Sequence, residues 1–231
     1  MTPTAMRRII CAILLIRPDP SNWSDYPNIW EEVSTLVGDC PWFKVYDIAE
    51  GLHGALAQYH PEGASAFQNR LNEFFRENGI GWQMADGRIV YRGSEAFTET
   101  TREAAAVLWQ TGRSAAANEI HEALADISRR PKPDVTGAIQ HSIAALECTA
   151  RDVVGEPNLT LGRLVPRMGL AAPLDTAVEK LWGYASERAR HIREGQSVST
   201  AEAELVVSVA CAVCTFLAQR VLGGSQNEGF R

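Results

Sequence analysis

The segment 186–195 carries the densest group of residues that could do chemistry in this chain. It reads Ser-Glu-Arg-Ala-Arg-His-Ile-Arg-Glu-Gly and holds three arginines and one of the five histidines. An arginine guanidinium binds phosphate through a planar fork of donors, and a histidine imidazole exchanges protons near neutral pH. This combination favours chemistry at the phosphodiester backbone of a polynucleotide.

In this hypothesis Arg190 and His191 are the catalytic pair. His191 takes the proton from a ribose 2′-hydroxyl, and Arg190 stabilises the charge that develops on the phosphate. Arg188 and Arg193 hold neighbouring phosphates. Any such contact must be local, because the chain has a net charge of −6 and a pI near 5.4, which exclude a protein that coats nucleic acid through bulk charge.

Two carboxylates, Glu187 and Glu194, flank this group and leave two interpretations open. In the catalytic interpretation they orient the imidazole of His191. In the other, Glu187 with His191 and Arg190 with Glu194 are i,i+4 pairs on a solvated helix end. Each such pair contributes only about 0.2 to 0.5 kcal/mol.

A second cationic group lies in the connector at residues 129–133, where Arg129, Arg130 and Lys132 alternate with two prolines. One interpretation is a phosphate-contacting edge. The other is a solvated connector whose prolines end one helix and begin the next.

Other residues of reactive type are interpreted as structural. Glu147 and Arg151 form an i,i+4 pair, and His141 on the same predicted helix is expected to make a structural hydrogen bond. Cys211 and Cys214 lie in an apolar helix without the second ligand pair that zinc requires, so we expect buried thiols and no metal.

Composition narrows the function classes further. The chain has no glycine-rich phosphate loop before a lysine, which excludes a P-loop NTPase, and we expect no cofactor. DNA binding is not favoured, because the charges of the helix at residues 67–78 cancel. Five cysteines without disulfide spacing predict a cytoplasmic protein. The uncharged stretch at 205–218 is shorter than the roughly 20 residues of a membrane span, so no membrane association is expected.

Helical periodicity dominates the chain and predicts a mostly α fold with one β-hairpin at residues 80–92. A packed helix is expected within residues 1–18 rather than a signal peptide. The other predicted helices lie at 29–37, 43–56, 67–75, 95–110, 114–128, 134–154, 160–168, 174–189 and 200–222. Proline and glycine positions predict an N-terminal region 1–128, a helical bundle 129–222 and a flexible tail 223–231.

Several segments in order resemble a known family. Residues 134–151, the Thr-Leu-Gly at 160–162 and the Leu-Trp-Gly-Tyr-Ala-Ser at 181–186, which run into Arg190 and His191, resemble the C-terminal helical region of bacterial abortive-infection AbiJ-type proteins. That region is similar to the HEPN superfamily. The N-terminal half, with the hairpin, resembles the domain that precedes it in such proteins.

The resemblance implies a four-helix bundle that forms a homodimer and, in active HEPN members, cuts RNA without a metal. In those members four to six residues separate an upstream arginine from the histidine. Here residues 184–186 are Tyr-Ala-Ser, and the arginines stand closer, at Arg188 and Arg190. The implied function is an endoribonuclease effector of antiphage defence that leaves 2′,3′-cyclic phosphate ends. The alternatives are a non-catalytic protein that binds RNA, a nucleotide or a partner protein of a defence system, and a structural dimer without a ligand.

Overall fold

The computed structural model describes residues 1–190 and 198–227, with the backbone alone at 188–190 and 222–227. Within this part of the chain there are ten α-helices and one two-stranded antiparallel sheet. The prediction of a mostly α fold with a single hairpin is confirmed.

The chain divides into two compact units, the first being Met1–Tyr91 and the second beginning at Arg92. In the first unit the elements are α1 (Pro3–Leu14), α2 (Trp30–Asp39), α3 (Trp42–Tyr59), α4 (Pro61–Glu77), β1 (Trp82–Ala85) and β2 (Arg88–Tyr91). Helix α1 packs against α2 and α3, and α3 packs against α4. Ile10, Ile29, Val33 and Ile48 form the buried centre of the first three helices, so the N-terminal helix is packed as predicted.

The hairpin turns through Asp86 and Gly87, whose φ angles are 48° and 77°. Two successive positive φ angles are typical of the tight turn that matches strand twist, and glycine adopts this conformation without strain. Met84 pairs with Ile89 across the strands, and both side chains are buried against Phe75. The Asp-Gly signal therefore fixed both the turn and the register.

Side chains from the helices hold the middle of each strand. The Asn72 amide of α4 accepts the Met84 N–H through Oδ1 at 2.6 Å and donates to the Met84 carbonyl at 2.8 Å. The Glu50 carboxylate of α3 accepts the Ile89 N–H at 2.7 Å. These bonds satisfy backbone groups that point away from the partner strand.

We expect Asn72→Ala to lower the free energy of unfolding by about 1 to 3 kcal/mol, because it leaves a half-buried backbone donor and acceptor without partners. Urea denaturation measures this loss. Asn69→Ala on the exposed face of the same helix is the matched control and should change stability by less than about 0.5 kcal/mol. Equal losses in the two variants would contradict the role given to Asn72.

The second unit is entirely helical in its described part. Its elements are α5 (Glu95–Gln110), α6 (Ser114–Ile127), α7 (Val135–Val154), α8 (Leu161–Leu164), α9 (Leu174–Arg190) and α10 (Thr200–Asn227), with a 3-10 turn at Val165–Arg167. Helix α7 is central, because it packs against α6, α8, α9 and α10. Ile139 and Leu146 of α7 are completely buried in this packing.

The domain boundary predicted between residues 128 and 129 lies inside this second unit. Helix α5 packs against α10, and α6 packs against α7, so both helices before the proline-rich connector belong to the same compact unit as those after it. The prolines of the connector thus mark a turn between two packed helices.

Capping residues set several helix ends. The Asp134 carboxylate accepts the Gly137 N–H at 2.8 Å at the start of α7, and Gly155, at φ 75°, ends that helix. Ser199 and Glu202 form a capping box at the start of α10, with hydrogen bonds of 2.7 to 3.2 Å.

Helix α10 is the most apolar element. The stretch Thr200–Val221 is long and apolar enough to cross a membrane, with a mean hydropathy of 1.8. Of the 18-residue apolar window within it, 44% is buried in the fold, and buried core helices can be equally long and apolar. In the second unit α10 packs against α5 and α7, and Val207, Cys211 and Leu217 are fully buried.

Candidate functional site

Helix α9 carries the first part of the predicted catalytic segment. It continues through Arg190, so Arg188 and Arg190 belong to its last turn, and Glu187 is exposed one turn before the end. Two residues apart in an α-helix, Arg188 and Arg190 start from backbone positions about 200° apart around the axis.

The remaining residues of this prediction, His191, Arg193 and Glu194, lie outside the described residues. Their grouping with Arg190 stays a prediction. What the structure gives is the position of the two helices that flank them, since α9 precedes His191 and α10 begins at Thr200.

Glu202 links these two helices. Its carboxylate accepts the backbone N–H and the hydroxyl of Ser199 at 2.8 and 2.7 Å, and it accepts the Tyr184 hydroxyl of α9 at 3.2 Å. One side chain thus links Tyr184 of α9 to the capped start of α10. On α9 itself, Trp182 lies against Gly162 of α8 so closely that a Cβ at position 162 would meet the indole at 2.8 Å.

In the second cationic group, at residues 129–133, one arginine already has acidic partners. Arg129 forms ion pairs with Asp126 at 2.8 Å and with Asp134 at 3.2 Å. Arg130 is half-buried and Lys132 is exposed. Phosphate binding by these three residues stays a prediction, and any phosphate at Arg129 has to compete with two carboxylates that already occupy it.

Next to Arg129 lies a group of charged side chains from α6, the connector and α7. We call the residues Glu119, Asp126, Arg129, Asp134 and His141 the α6–α7 charge cluster. His141 Nδ1 is 2.7 Å from Glu119 Oε2, and its Nε2 is 3.6 Å from Asp126 Oδ2. Because each ring nitrogen faces a carboxylate, this imidazole has the geometry of a structural bridge between two helices, the role expected from the sequence.

Asp126 is the buried member of the cluster, with only 4% of its surface exposed. Burial raises the pKa of its carboxyl; Arg129 and His141 oppose this rise, Asp134 and Glu122 add to it, and the net pKa is raised. The backbone carbonyl of Asp126 also accepts the N–H groups of Arg129 and Asp134, at 3.2 and 2.9 Å. One residue thereby closes both ends of the connector.

The raised pKa of Asp126 predicts how stability changes with pH. The folded state holds this proton more tightly than the unfolded state, so the stabilisation is fully present below the ordinary carboxyl pKa of 3.8 and is lost as pH rises through the raised value. We expect wild type to gain stability relative to Asp126→Asn as pH falls from neutrality. Urea denaturation over a pH series measures this difference, with Asp175→Asn as the control. If the stability difference between wild type and Asp126→Asn did not change with pH, the raised pKa of Asp126 would be contradicted.

Gly137 allows the carboxylate of Asp126 to lie against α7. A Cβ at this position would meet Asp126 Oδ2 at 2.2 Å and Asp134 Oδ2 at 2.9 Å. Any side chain larger than hydrogen must therefore push α6 and α7 apart or displace the buried carboxylate.

We expect Gly137→Ala to destabilise the protein by about 1 to 3 kcal/mol through this overlap. Thermal unfolding is the measurement. The matched control is Gly183→Ala in α9, where a Cβ meets nothing within 4 Å and alanine favours the helix. Equal unfolding temperatures for Gly137→Ala and Gly183→Ala would contradict the close approach of α6 to α7.

Glu147 and Arg151 form the predicted i,i+4 pair, at 2.5 Å. Glu147 also accepts the Leu161 N–H at 2.8 Å, and Arg151 donates to the Leu159 carbonyl at 2.9 Å. The pair therefore fixes the loop between α7 and α8. It confirms a structural role for these two side chains.

The thiols of α10 are poor nucleophiles. Cys211 and Cys214 are fully buried as predicted, and burial raises the pKa of Cys214 to about 12 and raises that of Cys211 further. All five cysteines are free. Among the described residues, no group of three or more His, Cys, Asp or Glu side chains is arranged to hold a metal ion.

Sequence reasoning missed Asp126 and its contacts with Arg129 and His141. The position of Asp126 in the sequence gives one indication of its burial. It falls on the same side of α6 as the buried stripe formed by Ala116, Ile120, Ala123 and Ile127. A carboxylate on an apolar stripe needs a partner. The identity of that partner, however, depends on how α7 packs against α6, and the sequence of α6 alone does not show this.

The comparisons with known proteins concern the N-terminal part. Residues 2–107 match the family model described as AbiJ N-terminal domain 4. The match spans the first unit and most of α5, and it leaves the rest of the chain uncovered. It supports the resemblance to AbiJ-type proteins and thus an association with abortive-infection defence. No curated protein and no solved structure matches the chain.

Proposed function

We propose that this protein is an effector of bacterial abortive-infection defence and that its second unit is a HEPN-like, metal-independent endoribonuclease. The observation that carries the proposal is the AbiJ-type match over residues 2–107, followed by a separate helical unit. Support for action on RNA comes from α9, which runs directly into the arginine- and histidine-rich segment.

In the proposed reaction His191 removes the proton from a ribose 2′-hydroxyl, and the oxygen attacks the adjacent phosphorus. Arg190 stabilises the charge on the pentacoordinate phosphorus, and Arg188 or Arg193 holds a neighbouring phosphate. The bond from phosphorus to the 5′-oxygen breaks, this oxygen takes the proton that His191 returns, and the product ends in a 2′,3′-cyclic phosphate. The chemistry needs no cofactor, because the nucleophile belongs to the RNA.

We further propose that the active form is a homodimer. Support comes from an open apolar groove of about 440 Å³ in the second unit, lined by residues of α9 and α10 that include Val178, Val209 and Val213. Phe216 and Leu205 of α10 are 45% and 63% exposed. A face that combines protruding apolar side chains and a groove suits twofold pairing with a second copy. The free cysteines support a cytoplasmic location.

The second candidate is a non-catalytic protein that binds RNA, a nucleotide or a partner protein of a defence system. It is favoured by the sequence at residues 184–186, which lacks the arginine of active HEPN members. In this case RNA binding is sensitive to salt and no product forms.

The test is cleavage of labelled single-stranded RNA in the presence of a chelator. We expect His191→Ala to reduce the rate about 100-fold or more and Arg190→Ala to reduce it comparably, because each removes a group that acts in the transition state. Mass spectrometry identifies the cyclic phosphate end. The matched control is His121→Ala, an exposed histidine bonded to Trp109, which should leave the rate unchanged.

Two results would contradict the nuclease. One is wild-type protein that binds RNA without cleaving it, which supports the second candidate. The other is undiminished cleavage by His191→Ala, which assigns the activity to other residues.

A further inference from the structure

The α6–α7 charge cluster brings an arginine and a histidine to one buried carboxylate. Asp126 Oδ1 is 2.8 Å from the Arg129 guanidinium, and Asp126 Oδ2 is 3.6 Å from His141 Nε2. Its side chain is 6% exposed, whereas that of Arg129 is 61% exposed. The guanidinium thus faces solvent on one side and an internal anion on the other.

We propose that Asp126 is a proton-sensitive latch that withholds Arg129 from polynucleotide phosphate. While Asp126 is ionised, its carboxylate holds the position on Arg129 that a phosphate oxygen takes. When it is protonated, Asp134 is the only ionised one of the two aspartates paired with Arg129, and the connector at residues 129–133 binds phosphate more tightly. This inference rests on the proposed function for its ligand, RNA, and adds a means of regulation.

The charges around Asp126 explain why a single proton has an effect. From the same helix Glu122 faces it, from the connector Arg129, and from the start of α7 Asp134 and His141. Glu119 in turn holds the other ring nitrogen of His141. With all carboxylates ionised, acids outnumber the guanidinium in the cluster, and phosphate is repelled. Loss of one negative charge changes that balance.

Two further features support the latch. The exposed Lys132 and the half-buried Arg130 follow Arg129 on the same connector, so a phosphate drawn to Arg129 meets further positive charge. In addition, burial raises the pKa of the Asp126 carboxyl, so it takes up a proton at a higher pH than an exposed aspartate does.

The experiment measures binding of a labelled single-stranded RNA by anisotropy, in the His191→Ala background so that the probe is not cleaved. We expect affinity to rise as pH falls from about 7.5, and to be roughly fivefold higher once Asp126 is protonated, the effect of removing one charge near the phosphate. Asp126→Asn should bind about fivefold more tightly than its parent at the higher pH and show little further rise.

Three variants separate the latch from general effects of pH. Arg129→Gln should remove the rise in affinity even if Asp126→Asn does not fold. His141→Gln should retain the rise, because the titrating group is Asp126. Arg163→Gln, an exposed arginine of α8, is the matched control and should retain it as well.

The latch is overturned if Asp126→Asn binds no more tightly than its parent at the higher pH, if Arg129→Gln keeps the full rise, or if His141→Gln alone removes it. Absence of any RNA binding also overturns it. Cleavage is measured separately with His191 intact. An inactive protein whose RNA binding still responds to Asp126 shows that the nuclease proposal fails while the latch stands.

Discussion

The second unit depends on the close approach of α6 to α7 around a buried carboxylate. Asp126 fits between these helices only because position 137 has no side chain, and it is tolerated there because Arg129 and His141 lie beside it. An unpaired charge at this depth would be strongly destabilising. Packing and charge pairing therefore act together at this point, and the position of α7 follows from both.

Helix α7 in turn places the rest of the unit. It contacts α6, α8, α9 and α10. Glu147 and Arg151 extend from it to fix the loop before α8, and Trp182 of α9 rests on Gly162 of α8. The segment that carries the predicted catalytic residues thus lies in the chain between α9 and the capped start of α10.

Local patterns predicted most of the fold. Helix α5 spans Glu95–Gln110 as periodicity indicated, and the Asp-Gly pair located the hairpin turn. The long-range pairs were not accessible in the same way. Asp126 and His141 are far enough apart in sequence that only the packing of two helices joins them. The grouping of Arg190 with His191 depends equally on tertiary geometry, and it stays a prediction.

The hairpin of the first unit limits how this unit can bind another protein chain. Asn72 and Glu50 occupy backbone groups at the middle of both strands. An extended peptide, or the same strand of another copy, finds those groups already engaged and cannot simply add itself to the sheet. Recognition by the first unit must then work through the side chains of its helices and loops, and the unit is protected from growing into strand-linked aggregates.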